Sequence, residues 1–199
     1  MAITNIINVI EKIKQLKANR IANEQIAVKE LTSGYSVDLS EAWEMLDTLA
    51  IKSKVIWDDI KGGKQQVQNS YNANFAGHAG ELTAMTYYMT KCKNVEAPDL
   101  NAYMQNIQET SEYDLIADGK NIQVKCISKL QSSRFQVTTY NTNKYSTDGT
   151  DEVCFVYVDR ETKKGYVYGL STPQDMLADN CIEPNDQEKS CFSARNVLH

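Results

Sequence analysis

The usual metal and nucleotide signatures are missing from this sequence. There is no Cys-x₂-Cys pair and no His-Glu-x-x-His, and only two His occur in 199 residues, which excludes the common zinc-binding patterns. Neither a Walker loop nor Gly-x-Gly-x-x-Gly is present, so no phosphate-cradling glycine loop is expected. No stretch approaches the ~18 consecutive apolar residues of a membrane span, and no membrane partner is expected. The opening residues MAITNIINVIEKIKQ form an amphipathic pattern without a basic leader region or cleavage site, so secretion is not expected. Five Cys, an odd number at wide spacings, point to reduced thiols and a cytoplasmic setting. Repeats and low-complexity tracts are absent.

What is present suffices for a core. Hydrophobic residues make up 42% of the chain, and the length suits one large domain or two small ones. The net charge of −5 argues against nucleic acid, whose partners are commonly basic. That average hides a local reversal. Residues 119–147 contain no Asp or Glu, yet hold Lys120, Lys125, Lys129, Arg134 and Lys144. A basic stripe on an acidic body still attracts a polyanion, because charge acts over about a Debye length, ~8 Å at physiological salt.

Residues 1–70 form a candidate module. Ile6, Ile7, Ile10, Ile13 and Leu16 recur at helical spacing and predict a helix over 3–18. Ile26, Val28 and Leu31 predict a short second helix ending at Gly34, a C′ residue with positive φ. Asp38 or Ser40 caps a third, with Trp43, Leu46 and Leu49 inward. Val55–Trp57, a Gly62-Gly63 turn and Gln65–Gln68 then predict a β-hairpin. Three helices and a hairpin resemble a winged helix, suited to DNA binding or dimerisation. Its third helix carries Glu41, Glu44 and Asp47, which phosphate repels, whereas the wing offers Lys61 and Lys64.

Residues 71–199 are the second expected domain. After a polar junction over 69–76, Gly80-Glu81 opens a helix with Leu82, Met85, Tyr88 and Met89 on one face. His78 is expected in the loop before it. Strands are predicted at Tyr113–Ala117, Asn121–Ile127, Phe135–Tyr140, Val153–Val158 and Gly165–Leu170, and a short helix starts at Pro173. Asp118-Gly119 makes a tight turn between the first two strands.

That hairpin brings Asp114 near Gln123 and Lys125. Positions 123 and 125 share one sheet face, while Ile122, Val124 and Cys126 face apolar surroundings. A carboxylate, an amide oxygen and an ammonium together suit a hard divalent cation and phosphate. Asp114 and Gln123 supply oxygen ligands, and Glu81 on the preceding helix adds a second carboxylate. Lys125 can orient or help deprotonate the attacking water and offset charge on the phosphorane.

Glu81 on a helix, then Tyr113-Asp114-Leu115-Ile116, then Ile122-Gln123-Val124-Lys125, resembles the PD-(D/E)XK nuclease superfamily. The Gln variant looks closest to Mrr-type restriction nucleases and intron-associated homing endonucleases. The resemblance covers roughly residues 76–178, with VCFVYVDRETKKGYVYGL as the closing strands. It implies an α/β fold, a restriction-endonuclease-like mixed sheet flanked by helices, here preceded by the winged-helix-like module. It also implies Glu81, Asp114, Gln123 and Lys125 as catalytic positions, Mg²⁺ (with Mn²⁺ as substitute) as cofactor, and DNA as substrate. Tyr113 stands where the superfamily's motif has Pro, and Gln123 where an acidic residue is usual.

Lys129, Arg134 and Lys144 follow the catalytic strand as expected backbone contacts, and Tyr140 and Tyr145 as stacking or packing residues. The expectation is a Mg²⁺-dependent DNA endonuclease, a homodimer if it cuts both strands. Its rival is a non-catalytic DNA-binding or regulatory protein that keeps the same core. A protein-interaction module with an acidic surface is the third class.

Overall fold

The computed structural model describes residues 34–61, 71–97, 113–128, 136–178, 182–184 and 190–193. In chain order the elements are β1 (Tyr35–Asp38), α1 (Trp43–Lys61), α2 (Tyr71–Met89), β2 (Val95–Glu96), β3 (Leu115–Ala117) and β4 (Lys120–Ile127). They continue as β5 (Gln136–Thr138), α3 (Thr139–Thr147), β6 (Glu152–Asp159), β7 (Lys164–Ser171), α4 (Pro173–Met176), β8 (Ile182–Pro184) and β9 (Ser190–Ser193). Mixed α/β architecture is therefore what the sequence led one to expect. No helix among the described residues is long and apolar enough to cross a membrane.

Six strands form one sheet in the order β1-β7-β6-β4-β3-β2. β2, β3 and β4 are an antiparallel meander, β6 runs parallel to β4, and β7 returns antiparallel to β6. The parallel pair needs a crossover, and α3 lies within it. A separate small sheet has the order β5-β9-β8.

The period of two along a strand sorts side chains to two cores. Ile122, Val124, Cys154, Val156 and Val158 join Leu115, Ala79, Ala84 and Phe75 beneath α1 and α2. Val153, Phe155 and Tyr157 join Val137, Tyr145 and Met176 on the opposite face. β6 is thus covered on both sides, which its unbroken apolar run predicts. Burying each such side chain contributes roughly 1.5–3 kcal/mol. Cys126 and Cys154 belong to the first face, and burial pushes their thiols up, as expected of unreactive core cysteines.

The β3–β4 hairpin forms as predicted. Ala117 pairs with Lys120 across Asp118 (φ 46°) and Gly119 (φ 81°), two positive φ values that match a two-residue hairpin turn. The Asp118 carboxylate also accepts from the backbone N–H of Lys93 and Asn94 at 2.9–3.2 Å, tying the turn to the end of α2.

Several expectations fail, each for a tertiary reason. Val55–Trp57 is not a strand of a wing but part of the 19-residue α1. Residues 62–70, which include Lys64 and the other arm, lie outside the described residues, as do 1–33 with the first two predicted helices. Tyr35–Asp38 is an edge strand on β7, and Leu39, Leu46 and Ala50 join the same core as residues 71 onward. Gly34 has no positive φ; a Cβ there would collide with the carbonyl oxygen of Val167.

α2 begins at Tyr71 rather than Gly80, so the polar stretch read as a junction is helical. Its first turn is anchored: the Tyr71 hydroxyl donates to Asp47, and the Arg160 guanidinium lies 4.3 Å from the Phe75 ring centroid. Gly80 sits mid-helix where α2 crosses β4, and an added Cβ would come within 2.6 Å of the Cys126 Cβ. The strand predicted over 135–140 ends at Thr138, whose hydroxyl accepts from the Asn141 N–H and caps α3 instead.

Candidate active site

Asp114 stands one residue before β3, where that strand parts from β4. Its N–H donates to the Ile122 carbonyl at 3.1 Å, the last rung of the ladder. Its side chain then takes the place of a strand, with Oδ2 accepting from the Val124 N–H at 2.6 Å. Burial and the Glu81 carboxylate push the Asp114 carboxyl up to about 6, opposed by Lys125 and the Val124 N–H. Two acids sharing one poorly hydrated spot resist ionising together.

Lys125 projects from β4 onto the face opposite α2, with Nζ 5.2 Å from the centroid of the Tyr145 ring. Burial alone would lower its pKa. Attraction to Tyr145 and Asp114, then Glu81, outweighs burial and holds the ammonium above its ordinary value. Lys125 is therefore a cation at neutral pH, suited to offsetting charge and unsuited to taking a proton. Three of the four expected catalytic residues, Glu81, Asp114 and Lys125, thus act on one another electrostatically. Gln123 shares the Lys125 face two residues away, opposite Val153 in the β4–β6 register. It is 9% exposed.

A small cleft between α1, α2 and β3 reaches Glu81 and Asp114. His78, Glu81 and Asp114 line it beside Met45, Leu46, Leu49, Leu82 and Met85. His78, expected in a loop, is a buried residue of α2. Its Nε2 lies 2.7 Å from Ser53 Oγ, and its Nδ1 lies 3.6 Å from Glu81 Oε2. Sequence reasoning passed over Ser53, although a serine one turn beyond Leu49 and Ala50 interrupts an apolar stripe and marks a polar contact.

The expected DNA contacts scatter. Lys144 lies on α3, 60% exposed and 3.7 Å from Asp148, so its charge is partly matched. Lys61 ends α1, and Lys64, Lys129 and Arg134 lie outside the described residues. Tyr145 is buried beside Lys125, as a packing residue would be, whereas Tyr140 is 77% exposed. The acid-free segment therefore does not present one continuous stripe among the described residues: Lys120 is exposed at the hairpin turn, Lys125 points inward, and Lys144 lies on a helix.

Glu81, Asp114 and Gln123 offer oxygen donors only, two of them acidic. That donor set fits a hard divalent cation that keeps most of its waters. The described residues contain no group of three His, Cys, Asp or Glu able to hold a metal. No family model matches the chain, and no curated protein matches it.

Proposed function

We propose that this protein is a Mg²⁺-dependent DNA endonuclease of the restriction-endonuclease-like kind, acting in the cytoplasm and cutting both strands as a homodimer. One observation carries the reading: Asp114, Lys125 and Glu81 come close enough, where β3 leaves β4, for each carboxylate to bear on the charge of the others. The element order supports it, since a helix bearing Glu81, then the hairpin of Asp114, Gln123 and Lys125, then the closing strands, in a mixed sheet flanked by helices, is the order the resemblance implies.

Asp114, Glu81 and the Gln123 amide oxygen would hold the cation. When bound, such an ion supplies positive charge to phosphate oxygens and acidifies a water. Asp114 has Oδ2 committed to the Val124 N–H, so Oδ1 is the oxygen it would offer the cation. Lys125 keeps its proton and donates from Nζ to a non-bridging phosphate oxygen, where negative charge grows during in-line attack by water. Tyr145 limits the swing of the Lys125 chain, so the ammonium is placed before substrate arrives. The uncharged Gln123 leaves the site with one carboxylate fewer than three, and weaker cation affinity follows.

Asp114→Ala and Lys125→Ala should each lower plasmid cleavage by about 10²–10³-fold or more, with circular dichroism unchanged. If the wild type leaves supercoiled DNA intact in Mg²⁺ and in Mn²⁺, and both variants match it, the enzyme reading fails. The second reading, a DNA-binding protein that does not cut, is favoured by the Gln at position 123. A gel shift that persists in EDTA, without cleavage on adding metal, selects it.

A further inference from the structure

Helix α1 turns one stripe toward α2: Leu46, Leu49, Ala50 and, one turn on, Ser53. Helical spacing asks for an aliphatic side chain at the last position, yet a hydroxyl is there at 2% exposure. Its Oγ meets Nε2 of His78 at 2.7 Å. The ring is 7% exposed, and on its far side Nδ1 faces Glu81 Oε2 at 3.6 Å. Residues three apart share a helix face, so α2 itself sets the His78–Glu81 juxtaposition, and α1 supplies the Ser53 contact. Burying an imidazole between two helices removes both nitrogens from water, a cost that an apolar pair would avoid. Packing alone gives no reason for Ser53 and His78 here; the carboxylate beyond them does.

We propose that His78 is a positioning residue for Glu81, held by Ser53 in the tautomer that carries its proton on Nδ1. Ser53 Oγ–H donates to Nε2, and the Nδ1–H dipole then stands 3.6 Å from Glu81 Oε2, an electrostatic approach longer than a hydrogen bond. The opposite tautomer would aim a lone pair at a carboxylate and is disfavoured. One Glu81 oxygen is thereby oriented toward the imidazole and the other remains for the cation. Imidazole and carboxylate groups behind a metal ligand commonly work this way, and losing them weakens binding about 10–100-fold. The role rests on the nuclease reading above.

The test uses Mn²⁺ alone as probe, followed by electron paramagnetic resonance of the free ion with the full-length protein and no DNA. His78→Ala and His78→Gln should bind about 10–100-fold more weakly, while His78→Asn, whose amide N–H stands where Nδ1–H was, should stay within about threefold. A change that merely loosened helix packing would affect Asn and Gln alike. ¹⁵N spectra of His199→Ala, which leaves one of the chain's two imidazoles, should show Nδ1 protonated, and adding Ser53→Ala should move the proton toward Nε2. A ring protonated on Nε2 in the presence of Ser53, or Gln binding as tightly as Asn, overturns the positioning role even where the wild type binds Mn²⁺ and cuts. A wild type that neither binds Mn²⁺ nor cuts removes the nuclease reading, and the role of His78 with it.

Discussion

The two faces of β4 are built from alternate residues of one strand and do opposite things. Ile122, Val124 and Cys126 lie under α2, so tightly at Gly80 that a methyl group would not fit. Gln123 and Lys125 take the other face, where the amide is buried and the ammonium lies over the Tyr145 ring of α3. One face is dry and fixed by shape. The other is nearly as enclosed but carries the polar groups, and that enclosure is what perturbs them. Pleating lets the first face stabilise what the second face costs, since a rigid strand can carry poorly solvated charge without yielding.

If the division holds, substitutions on the two faces should separate stability from activity. The largest effect is expected from Ile122→Ala on the shape-fixed face. It should cost about 3 kcal/mol and lower Tm by roughly 6–12 °C for a chain of this size, leaving cleavage per folded molecule unchanged at 20 °C. A loss of activity matching that of the Lys125 variant would abolish the distinction.

Next is Asp114→Asn, which should abolish cleavage yet stabilise the protein. The carboxyl has a folded pKa of about 6 against 3.8 ordinarily. Below both values the acid is protonated folded or unfolded, and it adds no cost. As pH rises from 4 to 6 the unfolded chain ionises first, so stability falls, and above 6 the full cost is present. Asn keeps an acceptor for the Val124 N–H and has no charge to bury. Allowing for its partial exposure, the gain should be about 2 kcal/mol at pH 7.5 and should vanish near pH 3.5. Urea titrations at the two pH values measure it; a gain independent of pH contradicts the assignment.

A smaller effect is expected from Gln123→Glu. A third carboxylate should lower the Mg²⁺ concentration for half-maximal cleavage about tenfold, ~1.4 kcal/mol, and lower Tm in metal-free buffer. The smallest comes from Lys144→Ala, outside both faces. Its exposed pair with Asp148 should contribute under ~0.5 kcal/mol to stability, but the salt slope of DNA binding should become shallower by about one.

Much of this division was legible in the residues. Strict alternation around Asp118-Gly119 predicts the hairpin and its register, and the apolar run at 153–158 predicts a strand covered on both faces. Glu81, Asp114 and Lys125 follow from that register plus one helix. What escaped prediction depends on neighbours distant in sequence. Val55-Ile56-Trp57 is too short a run to distinguish strand from helix by period, and it falls in the same helix as Leu46, Leu49 and Ala50. Residues 71–76 look like a linker because they are small and polar; they are helical because Tyr71 and Phe75 find Asp47 and Arg160. Thr139–Thr147 is rich in β-formers, yet Thr138 caps it as a helix. The Ser53–His78 pair joins residues 25 apart; the break in the apolar stripe at Ser53 marks a polar contact, but no local pattern names its partner.

The early end of β3 has a further consequence. Beyond Ile122 the Val124 amide is satisfied by a carboxylate where a neighbouring strand would offer a carbonyl. Such a charge-assisted bond is the stronger of the two kinds, so the fork is stable as it stands. It also means that zipping and acidity exclude each other here. A β-branched residue at position 114 would let the ladder gain a rung and lose its acid in the same step. Strand length is thus a setting of the chemistry: the sheet stays one residue short so that a side chain, with an oxygen to spare, can complete it.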